Sequence, residues 1–529
     1  MRRGNSSLCT ASTTNMCYLV HHFLEKSADS NPDKEALLDG DVRLTYWEIE
    51  LKANKVANWL LESGVRKGDR VALLLRNSGE YVSCYYGIQK AGGIVVPLNT
   101  GLGLKELKEI LEDCSSEVLI TENHFLKKID QTPKAEPFNI RVLANVYEDY
   151  SPRIISGGQY FNFREIHSRY PEMRPGLPIV DCDLSSIIYT SGSTGRPKGA
   201  TLTHGNIVAN TRSITSYLRL TGKDRCMVIL PFYYVYGKSL LNTHFRVSGT
   251  VIIDNRFAFP NAVLQRMREE KATGFAGVPS TFSILVNNSS MRSMEFPDLR
   301  YITQAGGHMS AAIKKELMKI LPDKEIFIMY GATEASARLT YLDPKDLSRK
   351  IDSIGKAIPN TELRILAEGG REAEPGEEGE IVARGSNIMQ GYWNDPVETD
   401  KVIKDGWYHT GDLGYRDEEG FFFMRGRKRE MVKVGIHKVS TIEIEDVLYQ
   451  HPSVFEAAVV GIPDQNLGEA LKAFIVLKEG CNTGEREFIE FCEERLPKYK
   501  IPKKIVFISD LPKNESGKIQ KRGLMEAPK

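Results

Sequence analysis

The sequence predicts an α/β protein in which layered, mostly parallel sheets are followed by a β-rich subdomain and a small α+β domain. Two observations lead to this prediction. Apolar strand-like runs alternate with amphipathic stretches between residues 45 and 330, as in stacked strand–helix units. From about Ser353 the pattern changes to short strands separated by Gly and Pro turns, and from Glu443 helices and strands mix over a compact segment.

The individual elements follow from the spacing of apolar residues. The run YLVHHFLEKSA, which begins at Tyr18, predicts the first helix. Strands and helices then alternate through VALLL, YVSCYYGIQKAG, IVVPLN, LKELKEILEDC and EVLIT. Short strands are predicted at ELRIL, GEIVARG and GFFFMRGR. The last segment has helices at IEIEDVLYQH and EREFIEFCEERL, and strands at EAAVVGI, KAFIVL and KIVFI.

Length and composition exclude several classes of protein. The 529 residues allow two to four folding units. The 70 Lys+Arg against 69 Asp+Glu leave no net field to attract nucleic acid or an anionic membrane, so no nucleic-acid partner is expected. No run approaches a transmembrane helix in length, and eight cysteines without a CxxC pair argue against a zinc site or a disulfide framework. We expect a soluble cytoplasmic enzyme, monomeric or homodimeric.

Residues 1–15, MRRGNSSLCTASTTN, are polar, small and without pattern. We predict a disordered tail there. Two alternatives remain open: the tail is an artefact of the chosen start site, or it is a mitochondrial address, whose composition Arg2, Arg3 and the Ser/Thr residues fit.

The stretch YTSGSTGRPKGA, from Tyr189 to Ala200, combines small residues, hydroxyl residues and a lysine. The preceding LSSIIYT predicts a buried strand, and NIVANTRSI after Thr203 and His204 predicts a helix. Glycines let backbone N–H groups approach phosphate oxygens, hydroxyls donate further hydrogen bonds, and lysine adds a positive charge. The stretch therefore predicts a polyphosphate-binding loop, with contacts from Thr190, Ser191, Gly192, Ser193, Thr194, Gly195 and Lys198.

Two matches to the Walker A loop fail. In that loop the lysine directly follows the second glycine, whereas two residues separate Gly195 from Lys198 here. The tripeptide GKS at residues 237–239 has the Walker ending, but Phe232 stands where the first Walker glycine belongs. The polyphosphate loop is therefore of another kind.

The loop resembles the phosphate loop of the adenylate-forming superfamily, which includes acyl-CoA synthetases, free-standing adenylation enzymes and beetle luciferases. Further motifs similar to those of this superfamily follow in order: YGATE (330–334), YHTGDLG (408–414), GRKREMVKVG (426–435) and LPKNESGKIQKR (511–522). With LTYWEIELKANKVANWL and GVRKGDRVALLLRNS near the start, the resemblance covers essentially the whole chain after Met16.

The resemblance implies a domain organisation. An N-terminal AMP-binding and acyl-binding domain would span residues 16–425, a hinge segment residues 426–435, and a mobile C-terminal domain residues 436–529. The active site would lie between the two domains. The hinge position itself, commonly Asp or Lys in relatives, is Arg429 here, and a hinge needs only a few residues that absorb the backbone change.

The resemblance also implies a reaction. A fatty or aromatic acid and ATP, with Mg²⁺, would give acyl-AMP and pyrophosphate, and the acyl group would then pass to the thiol of CoA. The first step needs charge neutralisation and alignment more than acid–base chemistry, because a carboxylate is already ionised at neutral pH. Three alternatives remain: an enzyme that loads an acyl or peptidyl carrier protein, a luciferase-like oxygenase, and a catalytically dead nucleotide-binding protein.

The resemblance assigns roles to individual residues. Lys518, in NESGK, matches the catalytic lysine that bridges the substrate carboxylate and the α-phosphate. Glu334 would hold Mg²⁺, which prefers carboxylate and phosphate oxygens, and Thr333 would touch the α-phosphate. Asp412 would accept from both ribose hydroxyls, and Arg427 would reach the same sugar. Further contacts to the nucleotide or the pantetheine arm fall on Gly306, Gly307, Tyr330, Gly331, Ala332, Lys433 and Gly435.

The segment LPFYYVYGKS (230–239) resembles the acyl-pocket motif of the superfamily, with Tyr234 in the gating position. Val235 stands where relatives that activate α-amino acids carry an aspartate, so an amino acid is a poor candidate substrate. Lys238 would pair with a second carboxylate or an oxygenated acyl tail if it faced the pocket, but we expect it to extend outwards from its helix. The predicted pocket residues are Tyr234, Tyr236, Lys238, Val278, Gln304 and Ala305.

Overall fold

A computed structural model describes residues 17–131, 138–146, 158–191, 196–514 and 517–525. The predicted tail at residues 1–15 lies outside these ranges. Within them, no helix combines the length and the apolar character that crossing a membrane requires.

Fifteen α-helices are present in the described ranges. They are α1 (His22–Ser30), α2 (Tyr46–Glu62), α3 (Gly79–Lys90), α4 (Leu104–Asp113), α5 (Asn123–Ile129), α6 (Phe163–Arg169), α7 (His204–Tyr217), α8 (Val235–Arg246), α9 (Pro260–Glu269), α10 (Pro279–Asn287), α11 (Ala311–Ile320), α12 (Pro396–Val402), α13 (Thr441–Leu448), α14 (Glu485–Glu493) and α15 (Lys521–Met525).

The strands of the N-terminal two thirds of the chain are β1 (Glu35–Asp39), β2 (Val42–Thr45), β3 (Arg70–Leu74), β4 (Ile94–Pro97), β5 (Val118–Thr121), β6 (Val142–Asn145), β7 (Gln159–Asn162), β8 (Leu184–Ser191), β9 (Pro197–Thr203), β10 (Arg225–Val228), β11 (Thr250–Ile253), β12 (Gly274–Gly277), β13 (Tyr301–Gln304), β14 (Glu325–Tyr330), β15 (Thr340–Leu342) and β16 (Ser353–Ala357). The later strands are β17 (Thr361–Leu366), β18 (Gly379–Gly385), β19 (Gly391–Tyr392), β20 (Ile403–Lys404), β21 (Trp407–Arg416), β22 (Phe422–Arg427), β23 (Val432–Val434), β24 (His437–Val439), β25 (Val454–Asp464), β26 (Gly468–Leu477) and β27 (Lys504–Phe507).

The largest sheet has the strand order β17-β18-β21-β22-β16-β15-β14-β13-β12-β10-β11-β1-β2, with β20 paired to β21. Its neighbouring strands β1, β11, β10, β12, β13 and β14 are parallel, whereas β2 is antiparallel to β1 and the pairing from β14 to β15 onwards is antiparallel. Because the two halves are continuous, the parallel layer leads directly into the β-rich subdomain.

Two further sheets complete the architecture. One has the order β19-β9-β8-β4-β3-β5-β6-β7, and it is parallel from β8 to β7. The other has the order β24-β23-β26-β25, with β27 parallel to β26, and it packs its own core around Ile444, Leu471 and Phe488. The predicted fold class, α/β with a β-rich subdomain and a small α+β unit, is confirmed.

Side-chain caps fix the starts of the helices that matter for the site. The Thr203 hydroxyl accepts a hydrogen bond from the Asn206 backbone N–H at 3.0 Å, and Asn206 Oδ1 accepts one from the Thr203 backbone N–H at 2.9 Å, so α7 begins as a capping box. Ser78 caps α3 by accepting from the backbone of Tyr81. The helix predicted after His204 is therefore present.

One strand was missed by the sequence interpretation. Residues 197–203 form β9, antiparallel to β8, so the small-residue loop joins the two strands of a hairpin rather than a strand and a helix. The proline and glycine that open this segment, Pro197 and Gly199, read as turn residues and hid the strand. The first helix also begins later than its apolar pattern suggested, at His22.

Candidate active site

Three side chains converge where the parallel layer meets the β-rich subdomain. β14 ends at Tyr330, and Asp412 on β21 is the register partner of Arg427 on β22. The Tyr330 hydroxyl donates to Asp412 Oδ2 at 2.7 Å, and Arg427 Nε lies 3.3 Å from Asp412 Oδ1. The arrangement ties the end of a parallel strand to an antiparallel hairpin by a buried carboxylate.

The Asp412 carboxylate is only 4 % exposed. Burial raises its pKa above the ordinary value, and Arg427, the Tyr330 hydroxyl and Lys518 act in the opposite direction. Oδ1 is ion-paired with Arg427 Nε at 3.3 Å, but it accepts no well-aligned hydrogen bond from any residue that the structure describes. A buried acceptor is costly without a donor, so this oxygen fits a hydroxyl brought by a ligand.

Lys518 lies on a short hairpin in which Lys513 and Ile519 form a β-bridge. Its backbone N–H donates to Asn514 Oδ1 at 2.9 Å. The residue keeps access to solvent, but enough protein surrounds its ammonium that burial lowers its pKa to about 8, with repulsion from Arg427 adding to the shift. The neighbours that shift this pKa include Asp412, so the hairpin brings a cation to the group of Tyr330, Asp412 and Arg427, here called the Tyr330 cluster.

The same hairpin is attached to the N-terminal part of the chain. Ser280, in the first turn of α10, donates to the carbonyl of Gly517 at 2.7 Å. Gly517 has φ of 79°, and a Cβ there would lie 2.8 Å from Ser280 Oγ, so a glycine is required. His308 Nε2 lies 2.8 Å from Asp446 Oδ1, and this contact joins the two parts at a second point.

Lys198, near the start of β9, forms an ion pair with Glu398 of α12. Its ammonium also lies 5.5 Å from the ring centroid of Tyr392. Hydrogen bonds from Lys198 and Lys401 lower the pKa of Glu398 to about 2. The lysine is therefore close to a carboxylate that stays ionised at neutral pH.

Tyr392 links Lys198 to the predicted metal ligand. Its hydroxyl donates to Glu334 Oε1 at 2.8 Å, and burial together with Glu334 raises the pKa of this phenol. Glu334 itself follows Thr333 in a 3₁₀ turn (Thr333–Ala335) directly after β14. The sequence interpretation missed Tyr392, because its strand has only two residues and carries no motif.

The remaining predicted phosphate contacts are only partly within the described residues. Thr190 Oγ1 donates to the backbone carbonyl of Lys198 at 3.4 Å, so it belongs to the same hairpin. The side chain of Ser191, and Gly192, Ser193, Thr194 and Gly195, lie outside the described residues.

A cavity of about 30 Å³ joins the predicted acyl pocket to the predicted nucleotide residues. It is lined by Tyr234, Val235, Tyr236, Ala305, Gly306, Gly331, Ala332, Thr333, Ala337 and Arg338. A Cβ on Gly331 would lie 2.1 Å from the Ala337 carbonyl oxygen, so the chain needs a glycine for this close approach. The space is about that of one water molecule, so an acid enters only if lining side chains move.

Arg338 is a member of this lining that the sequence interpretation missed. It is 2 % exposed, and its guanidinium carbon lies 4.0 Å from the ring centroid of Tyr236. The Tyr236 hydroxyl is fixed in turn by the backbone and side chain of Thr303, at 2.9 and 2.8 Å. A lone arginine after YGATE gave no signal, because it becomes part of the pocket only through folding.

Lys238 does not extend outwards, so the expected orientation is wrong. The residue is 2 % exposed, its Nζ has no hydrogen-bond partner within the described ranges, and it lies 5.0 Å from the ring centroid of Tyr85 on α3. Burial lowers its pKa to about 7. Asn242, one turn later, donates to Tyr85, so this face of α8 packs against α3, and Lys238 is not among the cavity lining.

The other predicted residues fall into two groups. Val278 and Gln304 lie beside the cavity: a Val278 methyl is 3.2 Å from the position of a Cβ on Gly306, and Gln304 donates to the Gly307 carbonyl at 2.8 Å. Lys433 and Gly435 lie elsewhere, on β23 and the turn after it, where their backbone N–H groups bond to Glu469 and Leu467 of the same small sheet.

Arg429 lies in a 3₁₀ turn (Lys428–Glu430) between β22 and β23, at the junction of the β-rich subdomain and the last sheet. A second depression, of about 350 Å³, includes Arg212, Arg246 and Asn360 in its lining and contains none of the predicted site residues.

Family models match most of the chain. The model described as AMP-binding enzyme matches residues 24–393, and the model described as AMP-binding enzyme C-terminal domain matches residues 443–518. The first match alone covers more than half of the chain. It includes the lysine-bearing hairpin and the turn with Glu334, and the second includes Lys518.

Known proteins resemble the chain over nearly its full length. A long-chain-fatty-acid–CoA ligase of Bacillus subtilis (strain 168) is 34% identical, over 96% of this chain and 94% of its own. The crystal structure of an anthranilate CoA ligase in complex with anthranoyl-AMP superposes with a TM-score of 0.88 at 29% identity, covering 96% of each chain. An o-succinylbenzoate CoA synthetase from Bacillus subtilis, in complex with ATP and magnesium, has a TM-score of 0.81 at 29% identity, covering 96% of this chain and 99% of its own.

Proposed function

The chain belongs to the family of AMP-binding enzymes, and from this premise we propose how its residues carry out the reaction of an AMP-forming acid–CoA ligase. A carboxylate oxygen of a fatty or aromatic acid attacks the α-phosphorus of ATP, and the bond to pyrophosphate breaks. The thiol of CoA then attacks the carbonyl carbon of the acyl-AMP, and AMP leaves as the thioester forms.

The Tyr330 cluster binds the nucleoside. Asp412 Oδ1 accepts from the ribose, since it is buried and accepts no well-aligned hydrogen bond from the described protein, while Arg427 favours the ionised form of the carboxylate and reaches the same sugar. The Tyr330 ring lies at the adenine site, opposite Gly306 and Gly307, and its hydroxyl remains committed to Asp412. The nucleoside site is therefore largely preformed.

Lys198 and Glu334 bind the phosphate end. Lys198 leaves Glu398 for the β- and γ-phosphates, a small rearrangement because the pair is partly exposed. The Glu334 carboxylate, a hard oxygen ligand held by Tyr392, fits Mg²⁺, which supplies charge neutralisation to the leaving pyrophosphate when bound. Thr333 and the loop residues at 190–195 complete the phosphate contacts.

Lys518 is the catalytic cation. The observation that supports this role most strongly is the docked hairpin: the Ser280–Gly517 hydrogen bond holds Lys518 where Asp412 and Arg427 influence its pKa. There it bridges the incoming carboxylate and the α-phosphate and stabilises the charge that develops between them. Removing such a contact typically costs about 10²–10³ in rate.

The acid lies in the cavity between Tyr234 and Thr333, with Tyr236, Ala305 and Val278 as its walls. Tyr234 is the gate between the acid and the thiol. The described lining contains no carboxylate that could pair with an ammonium group, so an α-amino acid is a poor candidate substrate.

The second step requires the C-terminal unit to turn. We place the domains at residues 16–425 and 436–529, with the hinge at 426–435 and its pivot at Arg429. Lys433 and Gly435 lie away from the nucleotide in the present arrangement, beside Ile436, which is 91 % exposed. A rotation about Arg429 brings this exposed turn to the pantetheine arm of CoA and takes Lys518 away.

The experiment is pyrophosphate release with ATP and Mg²⁺ across a panel of fatty and aromatic acids, with and without CoA. We expect release on some acids, stimulated by CoA, and strongly reduced release in Lys518→Ala. Pyrophosphate release that does not change when CoA is added, with acyl-AMP left bound, would indicate that a carrier protein supplies the thiol. Equal activity in wild type and Lys518→Ala would refute the assignment of the catalytic lysine.

A further inference from the structure

We propose that Arg338 selects acids that carry a second anionic group, with short dicarboxylic acids as the preferred class. The inference rests on the proposed function, since it names the substrate class of the same site. In it, one carboxylate reacts with ATP and the other pairs with the Arg338 guanidinium inside the cavity.

The first observation is the charge of a buried residue. Arg338 is 2 % exposed, and no Asp or Glu in the described ranges lies within ion-pair distance of it. An arginine side chain stays protonated in proteins, and buried charges are normally paired because an unpaired charge in the interior is expensive. A lone guanidinium on a substrate cavity therefore points to a missing anion that comes with the ligand.

The second observation is the geometry of its donors. The side chain donates from Nη1 to the Ala337 carbonyl at 3.0 Å and from Nε to Met329 Sδ at 3.3 Å, and the Tyr217 hydroxyl is a further hydrogen-bond neighbour of the guanidinium. These contacts occupy at most three of its five N–H donors, and the sulfur is a weak acceptor. The planar group that remains is suited to a carboxylate, which it can bind through two parallel hydrogen bonds.

The third observation is the position of the guanidinium. It lies over the Tyr236 ring at 4.0 Å, and both residues line the cavity together with Thr333 and Ala305. The aromatic ring fixes the plane of the guanidinium and partly offsets the charge in the absence of ligand. A second carboxylate therefore meets a guanidinium that is already oriented. Such preorganisation lets the site discriminate dicarboxylic from monocarboxylic acids.

This assignment replaces the role that the sequence suggested for Lys238. That lysine lies against Tyr85 in the packing between α3 and α8, and it is not part of the cavity lining. Arg338 is the cation of the described cavity lining. The same charge repels acids whose far end is an ammonium group.

The experiment compares acids of equal length that differ only at the far end: butanoate with succinate, pentanoate with glutarate, and hexanoate with adipate, plus 4-aminobutyrate. Two quantities are measured for each acid. One is the dissociation constant, by calorimetry on the full chain with a non-hydrolysable ATP analogue and Mg²⁺. The other is kcat/KM for pyrophosphate release.

The variants are Arg338→Met, which keeps the length and removes the charge, and Arg338→Lys, which keeps the charge and loses the fork. We expect wild type to prefer the dicarboxylate of at least one pair. In Arg338→Met the ratio of dicarboxylate to monocarboxylate binding should fall by roughly 10- to 100-fold, the range for hydrogen bonds to a charged group. Arg338→Lys should restore part of the ratio.

The matched control is Arg364→Met, because Arg364 also lies over an aromatic ring, that of Trp407 at 4.7 Å, but in the β-rich subdomain and away from the cavity lining. In Arg364→Met the ratio of dicarboxylate to monocarboxylate binding should equal that of wild type. Ratios are insensitive to a loss of folded protein, and circular dichroism checks folding directly.

The outcomes separate this inference from the proposed function. If monocarboxylates are adenylated and no dicarboxylate binds better than the monocarboxylate of equal length, the role of Arg338 is overturned, whereas the ligase activity stands. A ratio that is the same in wild type and Arg338→Met would do the same. Dicarboxylates that bind through Arg338 without any pyrophosphate release would support the binding role and count against the proposed function.

Discussion

Lys198 and Glu398, 200 residues apart in the chain, form an ion pair beside the ring of Tyr392. The pair joins the hairpin of the phosphate loop to α12. In the proposed function, ATP must compete with Glu398 for this lysine.

Glu398→Gln should therefore tighten ATP binding. Ion pairs near the surface contribute about 0–1 kcal/mol, and this pair, whose side chains are only 12 % and 20 % exposed, belongs at the upper end of that range. We therefore expect a decrease of up to roughly 5-fold in the dissociation constant, smaller at high salt. Titration of the enzyme with a non-hydrolysable ATP analogue at two salt concentrations measures it. Glu419→Gln is the control, since Glu419 also pairs with two cations, Arg349 and Lys350, at another surface. Weaker binding in Glu398→Gln would mean that Glu398 positions the lysine instead.

Asp412→Asn should weaken the nucleoside site. The amide keeps the shape but places a donor near Arg427 and removes the charge that the arginine balances. Loss of a charged acceptor in a buried site corresponds to roughly 10- to 100-fold in ATP affinity. Asp417→Asn, in the turn after the same strand and paired with Lys350, should leave ATP affinity unchanged. An unchanged affinity in Asp412→Asn would remove this residue from the ribose site.

The rate of adenylation should fall as the pH rises through about 8. The pKa of Lys518 is lowered to about 8 by burial, so the charge is fully present below that pH and is lost above it. Because kcat/KM reports groups of the free enzyme, its pH profile for pyrophosphate release should show this step. Lys518→Ala should be slower by about 10²–10³-fold and should lack the step, whereas Lys504→Ala, at an exposed site on β27, should keep the wild-type profile. A step that persists in Lys518→Ala would belong to another group.

Ser280→Ala should separate the two half-reactions. The change removes the hydrogen bond that holds the Lys518 hairpin to α10. A loss of about 1 kcal/mol should slow single-turnover formation of acyl-AMP by roughly 5-fold. Thioester formation from preformed acyl-AMP should not slow, because the hairpin has left α10 by that step. Ser289→Ala serves for comparison, since its hydroxyl has local partners: it donates to the Leu285 carbonyl and accepts from the Met291 N–H. Equal slowing of both half-reactions would contradict the docking role.

Lys238→Met should stabilise the protein in a pH-dependent way. Burial lowers the pKa of Lys238 from 10.5 to about 7, so between these values the unfolded chain binds more protons than the folded one and stability rises with pH. The methionine variant avoids the buried charge and should gain about 1–4 kcal/mol below pH 7, and the gain should shrink towards pH 10.5. Urea unfolding at pH 6.5, 8 and 9.5 measures this, with Lys504→Met as the exposed control. A gain that does not change with pH would show that packing, not charge, is responsible.

Much of the fold was predictable because it follows from local spacing. The alternation through VALLL, YVSCYYGIQKAG and IVVPLN corresponds to β3, α3 and β4, since the apolar period fixes both the type and the order of elements. The clustering of Tyr330, Asp412 and Arg427 was expected only through the resemblance. Their contacts depend on the register of β21 with β22, which no local pattern encodes.

The orientation of single side chains was not predictable. Lys238 has a polar side chain on a helix with polar neighbours, and only the packing of α3 against α8 decides that this face is buried. Arg338 and Tyr392 act through partners about 60–100 residues away in sequence, Tyr236 and Glu334. Such residues become visible only when the chain is folded.

The position of Arg429 determines how far each contact travels when the C-terminal unit turns. Asp412 and Arg427 lie next to this turn, and points close to a rotation axis move least. Lys518 belongs to the unit that turns, and the rotation breaks the hydrogen bond between Ser280 and Gly517 that docks its hairpin on α10. The ribose can therefore stay bound to Asp412 and Arg427 while Lys518 is withdrawn. One bound nucleotide thus serves two chemically different steps without dissociating between them.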